Sequence, residues 1–383
     1  MLDMVYRLDP EIIIGQGSLS RAGSICNARG GKVLIVSEQG LYERNAIDRL
    51  GSILASSGVD SILFDEVSSQ STSDIAQEAA DLARKSCSSL VIGFGSIKTQ
   101  AIARMTAMAA ASDLSVFDLL DGKKSKKPYL PYIAIPAIDA DPLMFANYFL
   151  ALDPRDRSIK LIKTPPGMCN AVIIDSVLYG SNFTNEKAIA TAAFDGFCTA
   201  AEAYCSTKAN TYSDGLLEQS FALYSSIIKS KLDNPGPIQI EAYVDASFLT
   251  AMGSSISAPG IGTALAYSIS GKFPIAKTWC STVILPHVLE KLAAAKPDKM
   301  AKIAANMGEP IEGSSIAEAA AMVTDTIRHY MGLLQVPGRL KEFNLVLDQL
   351  GPAIEAARDL EFVSYTPWTV ASENAFDIIK LAY

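Results

Sequence analysis

A glycine turn, Gly93-Phe94-Gly95-Ser96, follows the apolar run Ser89-Leu90-Val91-Ile92 and precedes an Ala/Met-rich stretch reaching about Ala111. Between a buried strand and a helix, such a turn can cradle a phosphate. Its backbone N–H groups point outward, and the helix N-terminus adds the positive end of its dipole. Glycines kept only for close strand–helix packing would give the same letters. A second group is Asp195 and Thr199, four apart on a helical stretch and so on one face. The sequence holds only two histidines, His287 and His329. Its six cysteines, at 26, 87, 169, 198, 205 and 280, have no C-x-x-C spacing. In a reducing compartment they read as mostly buried small apolar residues.

The elements that must position these groups change character along the chain. Ile12-Ile13-Ile14, Lys32–Val36, Ser61–Phe64, Ser89–Ile92, Tyr132–Ile135 and Ala171–Asp175 read as strands. Glycine turns bound several of them; Glu38-Gln39-Gly40 opens a helix, and Pro136 ends the fifth strand. Continuous apolar strands separated by helices imply a parallel sheet covered on both faces. Beyond about residue 164 helix follows helix, with breaks at Pro235-Gly236-Pro237 and Pro259-Gly260 and caps expected at Ser213 and Asp214. The expected organisation is an α/β nucleotide-binding-like domain over 1–163 and an all-helical domain over 164–383. The length of 383 residues suits two domains.

Bulk composition narrows the partners. Apolar residues are 49% and charged residues 19%, enough for two packed cores. Acidic residues outnumber basic ones 41 to 33, and the net charge of −8 disfavours nucleic acid and anionic membranes. The short cluster Lys123, Lys124, Lys126 and Lys127 reads as a solvated loop rather than a binding patch. No apolar run is long enough to span a bilayer, and the start MLDMVYRLDPEIII reads as no signal peptide, hence a cytoplasmic protein.

Residues 194–206, FDGFCTAAEAYCS, and 260–287, GIGTALAYSISGKFPIAKTWCSTVILPH, resemble the metal-binding half of the iron-containing alcohol dehydrogenase family. Its relatives include glycerol dehydrogenase and dehydroquinate synthase. The resemblance runs from Ile14-Gly15-Gln16-Gly17 to Pro286-His287. It implies a dehydroquinate synthase-like fold, with a Rossmann-like parallel sheet followed by helices, and a homodimer or higher homo-oligomer. The strand at Ile12–Ile14 is a plausible assembly edge. The resemblance further implies NAD or NADP as cofactor and a small alcohol or aldehyde as substrate. In that family one Asp and three His hold the metal. The Asp position matches Asp195, whereas the His positions fall on Thr199, Thr263 and Lys277. Tyr267 stands where many members place a His near substrate.

These departures carry physical consequences. A divalent ion needs converging lone pairs at about 2.0–2.2 Å. Threonine hydroxyls are poor ligands, and a lysine ammonium repels the ion. Iron or zinc is therefore expected to be absent, with Cys198 and Cys280 as the alternative soft ligands. Lys277 paired with Asp195 can fill the vacated place as a structural ion pair. Alternatively it can polarise a carbonyl while Tyr267 or Thr263 relays a proton. On the cofactor side the family motif G-G-G-S-x-x-D-x-x-K is met at Gly93, Gly95 and Ser96, but Thr99 and Ile102 replace its Asp and Lys. Glu38 falls where the family carries an acid facing the adenosine ribose, and equally can cap a helix. The family's P-T-T-x-G-T-G-S-E becomes Pro136-Ala137-Ile138-Asp139-Ala140-Asp141-Pro142-Leu143-Met144. Asp139 and Asp141 would oppose a pyrophosphate unless the loop turns them to solvent. Three functions follow: an NAD(P)-dependent oxidoreductase with Lys277 in place of metal, a non-catalytic structural or regulatory homologue, and a repurposed non-redox enzyme.

Overall fold

The structure, a computed structural model, describes residues 6–41, 45–180, 186–230 and 237–383. The first five residues and the Pro235-Gly236 part of the expected break lie outside them. The chain forms two compact units, one made of Met1–Asp141 and Asn147–Asn182, the other of Pro142–Ala146 and Phe183–Tyr383.

The first unit carries strands β1 (Glu11–Ile14), β2 (Lys32–Glu38), β3 (Ser61–Val67), β4 (Ser88–Gly95), β5 (Tyr132–Pro136), β6 (Tyr148–Leu152), β7 (Ile159–Lys163) and β8 (Cys169–Ile174). Its helices are α1 (Ala22–Asn27), α2 (Ala46–Ser56), α3 (Ile75–Lys85), α4 (Ile97–Ala111), α5 (Val116–Leu120) and α6 (Ser176–Gly180). Among the described residues, six strands form one sheet in the order β1-β8-β5-β4-β2-β3, and every pairing in it is parallel. Strands covered on both faces have no polar side to alternate with, and Val33, Leu34, Ile35 and Val36 are all buried. Because β8 pairs with β1 and β5, the first unit runs past the 163/164 division read from the sequence. The strands β6 and β7, not anticipated, pair antiparallel across a turn in which Asp153 accepts the backbone N–H and guanidinium of Arg155.

The second unit carries α7 (Glu186–Cys205), α8 (Thr211–Lys229), α9 (Pro237–Ile256), α10 (Ile261–Lys272), α11 (Lys277–Ala295), α12 (Pro297–Asn306), α13 (Ile316–Leu333), α14 (Gly351–Arg358) and α15 (Ser372–Ala382), and its described residues contain no strand. The start of α8 corrects the expected caps. Asn210 is the capping residue, its side chain accepting the N–H groups of Tyr212 and Ser213. Ser213 sits one turn in and returns the bond to the N–H of Asn210. Any of Asn, Ser and Asp can cap, and here Asn210, the residue just before the first helical one, takes the role.

Candidate functional site

Asp195 and Thr199 lie on α7, Thr263 and Tyr267 on α10, Lys277 and Ser281 on α11. The i, i+4 spacing puts each pair on one face of its helix. Lys277 Nζ sits 2.7 Å from both carboxylate oxygens of Asp195; Asp195 is buried and Lys277 nearly so, their side chains 8% and 11% exposed. Ser281 donates its hydroxyl to the same carboxylate. The ammonium lies 4.6 Å from the centre of the Tyr267 ring, within cation–π range. The sequence reading missed Ser281, although it follows Lys277 by four residues and so must share its face.

Glu202, one turn after Thr199, organises the neighbouring layer and falls inside the 194–206 stretch that carries the family resemblance. Its buried carboxylate accepts the N–H groups of Gly260 (3.2 Å), Gly262 (2.5 Å) and Thr263 (2.9 Å) and the Thr263 hydroxyl (2.7 Å). These are the orphan donors at the start of α10, so Glu202 caps that helix from across the bundle. The close approach needs glycines. A Cβ at Gly260 would come 2.7 Å from Glu202 Oε1, and one at Gly262 would come 2.6 Å from Val288. Burial pushes the Glu202 carboxyl above the usual glutamate range, while the Thr263 hydroxyl and the backbone N–H groups pull it back. Thr199 and Thr263 join hydroxyls at 3.0 Å.

These residues do not fit a divalent ion. Both Asp195 oxygens are engaged by Lys277 and Ser281, the two threonine hydroxyls are tied to each other and to Glu202, and the remaining position bears a cation. Cys198 and Cys280 offer no thiolate. Both are fully buried, and burial, with Glu202 and Asp195 near Cys198 and Asp195 near Cys280, pushes both thiols up. His287 lies ten residues beyond Lys277 on α11, about 15 Å along the helix axis, and turns to Glu290 at 3.7 Å.

The glycine turn lies in the first unit and is equally self-contained. Ser96 caps α4. Glu38, at the end of β2, accepts the Ser96 N–H at 2.6 Å and the Thr99 hydroxyl at 2.9 Å. Asp139, just past β5, accepts the Ile97 N–H at 2.6 Å. Gly95 has a φ of +151°, and a Cβ there would strike the Glu38 carboxylate and come 3.0 Å from Thr99 Oγ1. Gly93 gives room to Gln100, whose amide donates to the carbonyls of Gly93 and Ile135 at 3.1 Å. Glu38 thus reaches the start of α4 rather than the segment that follows β2. Asp139, part-buried, binds the helix start, and buried Asp141 lies 3.9 Å from the buried Arg104 guanidinium. As arranged, the turn does not fit a pyrophosphate, because its foremost donors already carry carboxylates.

A parallel sheet with flanking helices followed by a helical bundle defines the chain's class, an α/β unit joined to an all-α unit. The family model described as "Iron-containing alcohol dehydrogenase" matches residues 9–176, and "Fe-containing alcohol dehydrogenase family, C-terminal" matches 189–383. The chain belongs to the iron-containing alcohol dehydrogenase family. It is 23% identical over 353 residues to a 1,3-propanediol dehydrogenase of Citrobacter freundii, covering 89% of this chain and 90% of that one. It is 21% identical over 380 residues to an NAD-dependent methanol dehydrogenase of Bacillus methanolicus, covering 98% and 99%. A solved 1,3-propanediol oxidoreductase superposes with a TM-score of 0.91 at 21% identity over all of both chains, and an alcohol dehydrogenase from Oenococcus oeni with 0.90 at 20%, covering 99% and 100%. At such identity the superpositions establish the shared fold.

Proposed function

We propose that this chain is a metal-independent member of its oxidoreductase family, a non-catalytic structural or regulatory homologue of the active alcohol and aldehyde dehydrogenases. The observation that carries the reading is the Lys277–Asp195 pair at 2.7 Å. It sits at the positions that the resemblance assigns to metal ligands, with the Thr199 and Thr263 hydroxyls joined to each other and to Glu202 and the Ser281 hydroxyl bound to Asp195. An ammonium at hydrogen-bond distance from the only carboxylate of the set removes the net negative charge that would hold a dication. The reading includes a cytoplasmic location and assembly as a homodimer or larger homo-oligomer; the six free cysteines accord with a reducing compartment. No described helix is long and apolar enough to cross a membrane.

Elemental analysis of protein purified without chelator tests it. The expected result is far less than one iron or zinc per chain, also after incubation with either ion. A stoichiometric ion would remove the proposal.

A second reading is favoured by the 4.6 Å apposition of Lys277 and Tyr267. Here the chain is an NAD(P)-dependent oxidoreductase acting on a small alcohol or aldehyde, with Lys277 polarising the carbonyl and Tyr267 or Thr263 passing a proton. Under it, purified protein turns over NADH or NADPH with short aldehydes, and K277M loses the activity at unchanged fold. Absence of turnover across aldehydes and both nucleotides leaves the first reading standing.

A further inference from the structure

We propose that Glu38 and Asp139 form an internal anion plug that closes the glycine turn to dinucleotides. The two carboxylates come from different strands, at the ends of β2 and β5, and meet at the start of one helix, α4. Glu38 Oε1 takes the Ser96 N–H at 2.6 Å and Asp139 Oδ1 takes the Ile97 N–H at 2.6 Å. Consecutive N–H groups at the head of a helix are the donors a pyrophosphate uses after a strand–glycine–helix turn. Here two carboxylates of the chain's own hold them, accepting as a phosphate pair would and carrying the same sign of charge. Thr99 completes the closure. Its backbone N–H turns to Ser96 Oγ at 3.4 Å and its hydroxyl to Glu38 at 2.9 Å.

Steric closure accompanies the electrostatic one. The Glu38 carboxylate lies where a side chain at Gly95 would stand, so the space that glycine opens is filled from β2. A pyrophosphate entering the turn must displace both acids and then face them at close range, with Lys98 in the first turn of α4 offsetting Glu38 only in part; in the family motif the residue at Ile102 is a lysine. The plug concerns anion binding in the first unit and is independent of the ion pair in the second. Each proposal can therefore fail alone.

The experiment is calorimetric titration of NAD+, NADP+ and inorganic pyrophosphate into the full-length chain and into E38Q/D139N and E38A/D139A. Circular dichroism confirms the fold of each variant. The wild type is expected to show no saturable binding at millimolar nucleotide. E38A/D139A is expected to gain at least about tenfold in affinity for pyrophosphate or dinucleotide, equivalent to about 1.4 kcal/mol, and E38Q/D139N part of that gain. Micromolar, stoichiometric binding of either nucleotide by the wild type would overturn the plug. So would two folded double variants that bind no better than the wild type.

Discussion

K277M is expected to lower the stability of the protein by about 3–5 kcal/mol, the usual cost of stranding one member of a buried ion pair. Asp195 would lose its cation in a site where its side chain is 8% exposed, with Ser281 as its surviving partner. At roughly 2–4 °C per kcal/mol for a unit of this size, the thermal midpoint falls by roughly 6–20 °C. The companion variant D195N/K277M removes both charges. Its new side-chain amide can still accept from Ser281, and the methionine keeps most of the lysine stem's volume beside Tyr267. Most of the lost stability should return, since a buried pair replaced by neutral groups of similar shape is often close to neutral. Calorimetric melting of the three proteins decides it. A K277M midpoint within a degree or two of wild type would show that the pair does not hold this bundle together.

E202A is the second large effect. The substitution removes the one acceptor shared by three buried backbone N–H groups and a hydroxyl at the head of α10. An unsatisfied buried donor costs about 1–3 kcal/mol, so the three N–H groups together set a loss of at least about 3 kcal/mol, less whatever an entering water restores. E202Q keeps one acceptor oxygen but turns an amide against donors, and should fall between the two. Denaturant midpoints and hydrogen exchange at Gly262 and Thr263 report it directly. The ordering wild type, E202Q, E202A is expected in both. Equal protection of those amides in E202A would show that α10 is capped by something other than Glu202.

The centre of the sheet was legible because β2, β4 and β5 are buried on both faces. Such strands read as unbroken apolar runs, Val33–Val36 and Leu90–Ile92 among them, and leave no ambiguity of face. The β6–β7 hairpin was not, because Tyr148–Leu152 and Ile159–Lys163 are five residues each and pair only with one another. The cap of α8 was misplaced by a few residues because Asn210, Ser213 and Asp214 all carry the side-chain oxygen that a cap requires. In the bundle, helical periodicity united Asp195 with Thr199, and the Lys277–Asp195 encounter was available once the family resemblance had aligned three separate helices. Glu202 stayed hidden because its partners are backbone groups 58 to 61 residues away, and a sequence does not display backbone donors. The same holds for Glu38 and Asp139: their charge could be read, but the particular N–H that each would reach depended on where β2 and β5 end relative to α4.

The short segment Pro142–Ala146 interrupts the first unit while belonging to the second. Its carbonyl at Pro142 receives the Ser254 hydroxyl at 2.7 Å, Phe145 meets Phe248 edge-on at 5.7 Å, and Leu143, Met144 and Phe145 are all buried. The chain is therefore stitched through both units rather than strung between them, and no single cut yields two intact halves. A fragment that stops before α7 would carry three stripped apolar side chains on a loop, and the helical remainder would lack the partners of Ser254 and Phe248. Dissecting this protein into independently expressed pieces calls for grafting those five residues, not for choosing a better truncation point.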